Sequence, residues 1–346
     1  MQKINVAILG ATGAVGQRFI QLLAHHPWFK IAELVGKSSA GKPYGEAVKW
    51  ILDEDPPQEV LNMKVIPLDS PLSSPLVFSA LPKEAAEREA ELAQDGHIVC
   101  TNASLNRMEN DVPLLLPEIN HEHLGLIEVQ RRQRGWTGAI IANSNCTVMP
   151  VVMALHPLKK YGIRKIHMVS EQALSGAGYP GVASLDVIDN IIPYVGGDEN
   201  KMETESLKML GHFVNGAIEM LPAVTSATCT RVPVIDGHIV NISLELAEKP
   251  SFEQIIQDWQ NFKPIDAVAQ LPSAPKQPLV YFPQIDRPQP RRDRMVGQGM
   301  ATSIGRLREC PILGYKFVTL SHNTIRGAAG CSILNAELLV AKGLLN

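Results

Sequence analysis

The stretch Ile4-Asn5-Val6-Ala7-Ile8-Leu9-Gly10-Ala11-Thr12-Gly13-Ala14-Val15-Gly16 decides the fold. Residues 4–9 are an apolar run of strand length, and a helix is predicted over 17–25. Between them stand three glycines, each three residues from the next. At a strand–turn–helix junction each has a task. Gly10 permits the tight turn, Gly13 lets a pyrophosphate approach the backbone, and Gly16 allows the helix to pack closely on the strand. The helix N-terminus supplies N–H donors to the phosphates. A bare glycine pattern is weak evidence, but its place at the first βα turn favours a dinucleotide site over a merely structural turn. Gly10, Thr12, Gly13, Ala14, Val15 and Gly16 are therefore expected to contact the cofactor.

A second strand is expected over 31–35. NAD sites usually place an acid at its end to bind the ribose 2′-hydroxyl. Here the chain continues Gly36-Lys37-Ser38-Ser39-Ala40-Gly41-Lys42. The hydroxyls of Ser38 and Ser39 and the cation of Lys42 suit a 2′-phosphate, which points to NADP. Residues 43–70 look irregular. Strands over 77–80, 97–100 and 138–143, with an amphipathic helix over 83–94, extend the alternation of a doubly wound parallel sheet. Ala80, Leu81, Asn102, Ser104 and Arg107 would lie beyond the carboxyl ends of its strands, where ligands collect. The class expected is α/β: an N-terminal Rossmann sheet in residues 1–145, completed by a C-terminal helix over 330–346, and an α+β domain in 146–329.

Ser144-Asn145-Cys146-Thr147 joins the strand 138–143 to an apolar helix over 147–161. Cys146 thus falls in or before a first helical turn, beside unpaired N–H groups and the positive end of the dipole. That setting favours a thiolate, the nucleophilic form; a small buried hydrophobe is the bland alternative. Further on, a strand over 165–170 runs into the glycine-rich loop 171–181, suited to close approach of backbone to ligand. The charged helix starting at 198–205 reads by default as a solvated face. Two strand-like runs in 228–248 flank Asp236-Gly237, and hairpin geometry would bring Arg231 and His238 to one pocket as anchoring cation and general acid/base. Residues 263–295, with Arg291, Arg292 and Arg294, read as a linking segment at a boundary.

Composition excludes several classes. The 346 residues are 45% hydrophobic and 19% charged with a net charge of −3, which leaves no electrostatic footprint for nucleic acid. No apolar run approaches the roughly 18 residues of a membrane span, and the N-terminus enters a strand without a signal-peptide pattern. Five scattered cysteines without CxxC spacing suit a reducing cytoplasm and neither a disulfide framework nor a zinc site. His121-Glu122-His123 lacks a third nearby ligand and reads as a solvated helix end; no metal is expected.

Taken together, these motifs resemble the aspartate-β-semialdehyde dehydrogenase family, in the branch found in archaea, fungi and some bacteria. The resemblance rests on Gly10–Gly16 with Ser38, Ser39 and Lys42, on Ser144-Asn145-Cys146-Thr147, and on Glu171-Gln172 with the loop 175–181. It continues through Arg231-Val232-Pro233-Val234-Ile235-Asp236-Gly237-His238 and Asn323-Thr324-Ile325-Arg326-Gly327-Ala328-Ala329-Gly330. The resemblance implies reductive dephosphorylation of L-4-aspartyl phosphate by NADPH, on the route to lysine, methionine and threonine. It also implies a second domain that both catalyses and dimerises, in a homodimer or homotetramer. By family role Cys146 forms a thioester, His238 is the general acid/base and Gln172 orients the intermediate. Arg231 pairs with the substrate carboxylate, while Arg107, Lys201 and Asn145 match phosphate-binding positions. Ser175, Gly176 and Asn323 match cofactor positions. One departure is implied: the family's glutamate for the substrate amino group is here Asp198, with Glu199 beside it. Malonyl-CoA, succinyl-CoA and N-acetyl-glutamyl-phosphate reductases share the scaffold, and a non-catalytic NADP-binding protein is a further alternative.

Overall fold

The apolar run near the N-terminus forms strand β1 (Ile4–Leu9), fully buried from Val6 onward in the computed structural model, which describes residues 2–345. It lies in a sheet with β2 (Phe29–Val35), β3 (Val65–Ile66), β4 (Leu76–Ser79), β5 (Ile98–Thr101) and β6 (Ala139–Ala142), ordered β3-β2-β1-β4-β5-β6. Every ladder is parallel. Both faces are covered, which is why β4, β5 and β6 read as unbroken buried runs rather than alternating ones. The order reverses between β1 and β4, so the crevice for a ligand opens there.

Two local expectations change. The region 43–70 contributes β3, the sheet's outer strand. The helix expected over 83–94 is a 3₁₀ turn, Lys83–Ala85, followed by the helix Arg88–Gln94. Glu89, near its start, is fully buried and accepts hydrogen bonds of 2.6 Å from both Ser79 Oγ and Thr101 Oγ1, a tertiary arrangement that local periodicity does not register.

After β6 the helix Val148–Leu155 is buried at every position and packs against the second sheet. It gives way to a 3₁₀ turn, His156–Tyr161, because Pro157 lacks the N–H that an α-helix would require there. The second sheet contains β7 (Ile163–Gln172), β10 (Val224–Arg231), β11 (His238–Leu246), β12 (Leu279–Phe282), β13 (Thr302–Cys310) and β14 (Gly314–Ser321). Its order is β10-β7-β11-β14-β13-β12; β8 (His212–Val214) and β9 (Ala217–Glu219) pair separately. The expected hairpin across Asp236-Gly237 does not form. β10 runs parallel to β7 on one side, and β11 antiparallel to it on the other. The segment between them crosses the end of β7, with Val232 N–H donating to Gln172 O and Leu174 N–H to Val234 O. Satisfying the backbone of β7 on both edges outweighs the local turn. The stretch 263–295 likewise supplies β12, an edge strand, and is more than a link.

The C-terminal helix Gly330–Ala341 packs on β4, β5 and the helix Ala14–Leu23. It is buried all round as far as Leu339, not amphipathic as a one-sided surface helix would be. A π-turn, Ile325–Ala329, leads into it. Within that turn Arg326 is fully buried and donates to Glu118 Oε1 at 2.7 Å. Arg326→Met is expected to destabilise the fold by about 3–5 kcal/mol in denaturant unfolding, because the Glu118 carboxylate is left buried without its partner. Arg326→Met combined with Glu118→Leu should cost less than the single change; a double variant that is worse would mean the pair itself contributes net stability.

Candidate active site

Three elements meet where β6 ends. Asn143 Nδ2 donates to Asn102 Oδ1 at 2.9 Å and to Ala328 O at 3.0 Å, tying the chain to β5 and to the π-turn. Asn145 Oδ1 accepts the N–H of Thr147 at 2.9 Å, which starts the helix and sets Cys146 in the turn. Gly327 lies against Cys146; a Cβ there would come within 2.5 Å of the cysteine Cβ. The glycine of the π-turn is therefore what allows the backbone to pass behind the thiol.

His238 is the first residue of β11, and its Nε2 stands 3.1 Å from Cys146 Sγ. Its Nδ1 accepts the backbone N–H of Ala173 at 2.9 Å. A backbone N–H can only donate, so the neutral ring carries its proton on Nε2, facing the sulfur. Burial pushes the His238 pKa down to about 3, with Arg231 adding to the effect. Burial also pushes the Cys146 thiol up to about 12; Asp198 raises it further, while Arg107 and Arg231 oppose. Both partners are neutral at pH 7 in the free site. The thiolate expected from the helix N-terminus is thus disfavoured at rest, because desolvation is the largest influence on the sulfur at this half-buried position.

Arg231 ends β10, opposite Gln172 at the end of β7. Its Nη1 donates to Ala173 O at 2.7 Å. The loop after β7 rests directly on this pair: a Cβ on Gly176 would lie 3.0 Å from His238 Cε1 and 3.1 Å from Arg231 Nη1. Gln172 is buried and donates to Ser170 Oγ at 3.3 Å.

The helix Asp198–Met209 brings the remaining charges. Lys201 Nζ contacts Asp198 Oδ1 at 2.7 Å, and both face the cleft that holds Cys146, Asn145 and Arg107. Glu199 does not join them. It accepts the N–H of Cys229 at 3.1 Å and so covers the free edge of β10. Of the two acids, Asp198 alone is in place to meet a substrate. The default reading of this helix as a solvated face is also corrected: Asp198, Glu205 and Lys208 are all buried.

Spacing along the sequence misses two of these residues, Glu205 and Lys208. Glu205 Oε2 accepts Ser144 Oγ at 2.9 Å and Asn145 N–H at 2.7 Å, and its Oε1 accepts Arg107 Nη1 at 3.1 Å. Lys208 Nζ donates to the carbonyls of Arg107, Glu109 and Val112 at 2.7–2.9 Å. The signal available was periodicity: residues 198, 201, 205 and 208 share one helical face. Of His121-Glu122-His123, the first two are partly exposed and only His123 departs from a solvated end. His123 is fully buried, hydrogen-bonded to Asn120, and held down to about 4 by burial. Among the described residues no group of three potential ligands is placed to hold a metal, and no helix is long and apolar enough to cross a membrane.

The cofactor positions fit a dinucleotide. Gly10 has φ +72°, and a Cβ there would lie 2.8 Å from Ala80 O. On Gly16 it would lie 2.2 Å from Gly10 O, so both positions admit only glycine and the loop stays low enough for phosphates. Val15, Leu81, Ser175, Gly176 and Asn323 line the same cleft as Cys146, about 350 Å³ in all. Asn323 ties that cleft together, accepting Gly237 N–H at 2.9 Å and donating to Ser175 Oγ at 2.7 Å. Ser38 and Lys42 are exposed beyond β2. Ser39 turns inward, its Oγ buried and without a partner among the described residues.

A Rossmann sheet whose ligand crevice opens onto a cysteine–histidine pair defines the class of a nicotinamide-dependent dehydrogenase. Residues 5–127 match the family model "Semialdehyde dehydrogenase, NAD binding domain", and residues 155–326 match "Semialdehyde dehydrogenase, dimerisation domain". The aspartate-semialdehyde dehydrogenase of Archaeoglobus fulgidus is 46% identical over 99% of this chain and 100% of its own. The crystal structure of aspartate semialdehyde dehydrogenase with NADP from Candida albicans superposes with a TM-score of 0.91 at 40% identity, covering 99% and 100% of the two chains. A malonyl CoA reductase (NADP) of Metallosphaera sedula is 37% identical over 99% of this chain and 98% of its own. The chain belongs to the semialdehyde dehydrogenase family, and within it to the aspartate-semialdehyde dehydrogenases.

The protonation states predict a pH profile. Alkylation of Cys146 by iodoacetamide, followed by mass spectrometry of its peptide, should rise with pH through pH 9 without a plateau. Asp198→Asn should speed it at fixed pH by removing a charge that opposes the thiolate. A plateau below pH 7 would instead reveal a preformed thiolate–imidazolium pair.

Proposed function

We propose that the chain reduces L-4-aspartyl phosphate to L-aspartate 4-semialdehyde and phosphate, using NADPH, on the route to lysine, methionine and threonine. The observation that carries this reading is the 3.1 Å contact between Cys146 Sγ and His238 Nε2, inside a cleft that also holds Arg107, Lys201 and Asp198. A half-buried thiol at the wall of a cleft with an anion-binding rim is what transfer of an acyl phosphate to sulfur requires.

Cys146 attacks the acyl carbon, the C–O bond to phosphate breaks, the thiol proton leaves with the phosphate, and a thioester remains on the enzyme. Arg107, Lys201 and Asn145 hold the phosphoryl group. Arg231 holds the α-carboxylate in the fork that a guanidinium presents and an ammonium lacks. Asp198 receives the α-ammonium, and that charge offsets the acid which otherwise opposes a thiolate on Cys146. His238 presents its Nε2–H to sulfur and to the oxygen that becomes negative as the carbonyl is attacked. Gln172, buried at the end of β7 beside Ala173, orients the intermediate. NADPH supplies the hydride that releases the aldehyde from the thioester. Gly10, Thr12, Gly13, Ala14, Val15 and Gly16 would hold its pyrophosphate. Ser38, Ser39 and Lys42 would meet its 2′-phosphate, and Ala80, Leu81, Ser175, Gly176 and Asn323 its nicotinamide side.

The division into a cofactor domain (1–145 with 330–346) and a catalytic domain (146–329) is supported by the two separate sheets and by the return of the C-terminal helix to β4 and β5. Assembly of identical subunits through the second domain is supported by the family model that residues 155–326 match. A homodimer or homotetramer is the state proposed.

In the reverse direction, aspartate semialdehyde and NADP should yield NADPH only when phosphate is present. Turnover with CoA in place of phosphate, or forward reduction of malonyl-CoA, would move the assignment to an acyl-CoA reductase. Cys146→Ser should abolish turnover while calorimetric NADP binding persists, and an active serine variant would remove Cys146 as nucleophile. Arg231→Lys should lower kcat/KM for the semialdehyde by about tenfold to a hundredfold with KM for NADP unchanged, since the bidentate contact is worth about 1.4–3 kcal/mol.

A further inference from the structure

We propose that Glu205, a residue outside the catalytic set, is the positioning residue that fixes Arg107 and the Cys146 loop in one arrangement; the proposal rests on the acyl-phosphate reading above. The carboxylate is nearly fully buried and has three donors from two parts of the chain: Ser144 Oγ and Asn145 N–H on one oxygen, Arg107 Nη1 on the other. Arg107 would otherwise be free to swing on its long stem. Instead its Nη2 is held by Asn102 O at 2.6 Å and its Nη1 by Glu205, two contacts that settle the plane of the guanidinium. Its Nε is buried and has no partner among the described residues, and the side chain lines the cleft beside Cys146.

The same helix clamps the loop that carries Arg107. Lys208, one turn beyond Glu205, caps the carbonyls of Arg107, Glu109 and Val112. The helix Asp198–Met209 thus secures three things at once. It presents Asp198 and Lys201 directly, Arg107 through Glu205, and the backbone before Cys146 through the same carboxylate. A buried carboxylate is costly unless its charge and lone pairs are met. At this position the groups that meet them are parts of the reaction site, so the charge that stabilises Glu205 also orients Arg107.

The separation of roles is testable with Glu205→Gln. The amide oxygen still accepts from Asn145 N–H, but the amide N–H₂ now faces the Arg107 donor and releases it. In the reverse reaction KM for phosphate should rise about tenfold or more while KM for NADP stays within about twofold. Titration with inorganic phosphate alone should show the same loss of affinity. Glu205 acts through Arg107, so adding Glu205→Gln to Arg107→Ala should change phosphate KM by less than about twofold beyond Arg107→Ala alone. An unchanged phosphate KM in folded Glu205→Gln, or effects that multiply in the double variant, overturns the proposal. Should Glu205→Gln not fold, Glu205→Asp keeps the charge but withdraws it by one methylene. It should raise phosphate KM with NADP KM unchanged, and an unchanged phosphate KM overturns the proposal equally. Wild-type protein that binds phosphate without phosphate-dependent turnover, and loses that binding in Glu205→Gln, would overturn the acyl-phosphate reading and leave Glu205 in its positioning role. Wild-type protein that does not bind phosphate overturns the role of Glu205.

Discussion

Where a strand ends, its last N–H and C=O groups lose their ladder partners and must find others. The site is built on that constraint. Ala173, just past β7, gives its N–H to His238 and its C=O to Arg231. Asn102, just past β5, gives its C=O to Arg107. Asn145, just past β6, gives its N–H to Glu205. Each of these four backbone groups is satisfied by a buried charged or titratable side chain at or beside the cleft. The two sheets therefore do more than support the site, because their unpaired ends dictate where its charged groups sit.

Burial then determines the resting chemistry. His238 is fully buried and Cys146 half-buried, and desolvation favours the uncharged form of both. A thiol held neutral is protected from adventitious oxidation and alkylation, since the thiolate is the reactive form. Reactivity depends on what the cleft receives. On the function proposed, an ammonium beside Asp198 would favour the thiolate, and the Nε2–H of His238 is already aimed at the sulfur. The tautomer follows from the Ala173 N–H, a group that cannot change its role with pH.

The helix Asp198–Met209 shows how a polar sequence can be interior. Its charges are paired with backbone groups that no other element reaches: Glu199 and Glu203 with the edge of β10, Lys208 with the loop carbonyls near Arg107, and Glu205 with the turn before Cys146. Covering a sheet edge with acceptors from a helix also removes a row of free N–H groups that could pair with another chain. What reads as a solvated charged helix is a polar strut between the two halves of the site.

Local patterns along the sequence determined the Rossmann sheet, its glycine-rich turn and the candidate nucleophile, because those depend on short-range periodicity and on glycines whose steric need is local: Gly10 and Gly16 leave no room for a Cβ. Cys146, His238 and Arg231 were legible from residue type and motif. Tertiary structure alone decided how they meet. Asp236-Gly237 invites a hairpin, yet β7 lies between β10 and β11 because pairing both of its edges satisfies more backbone than one tight turn. It also decided that Asp198 rather than Glu199 faces the cleft, that Glu205 underlies Arg107, and that the thiol is protonated at rest. Each of these turns on burial and on partners some 30 to 100 residues away, as in the separations of Glu199 from Cys229 and of Arg107 from Glu205, and no local window of sequence contains both ends of such a contact.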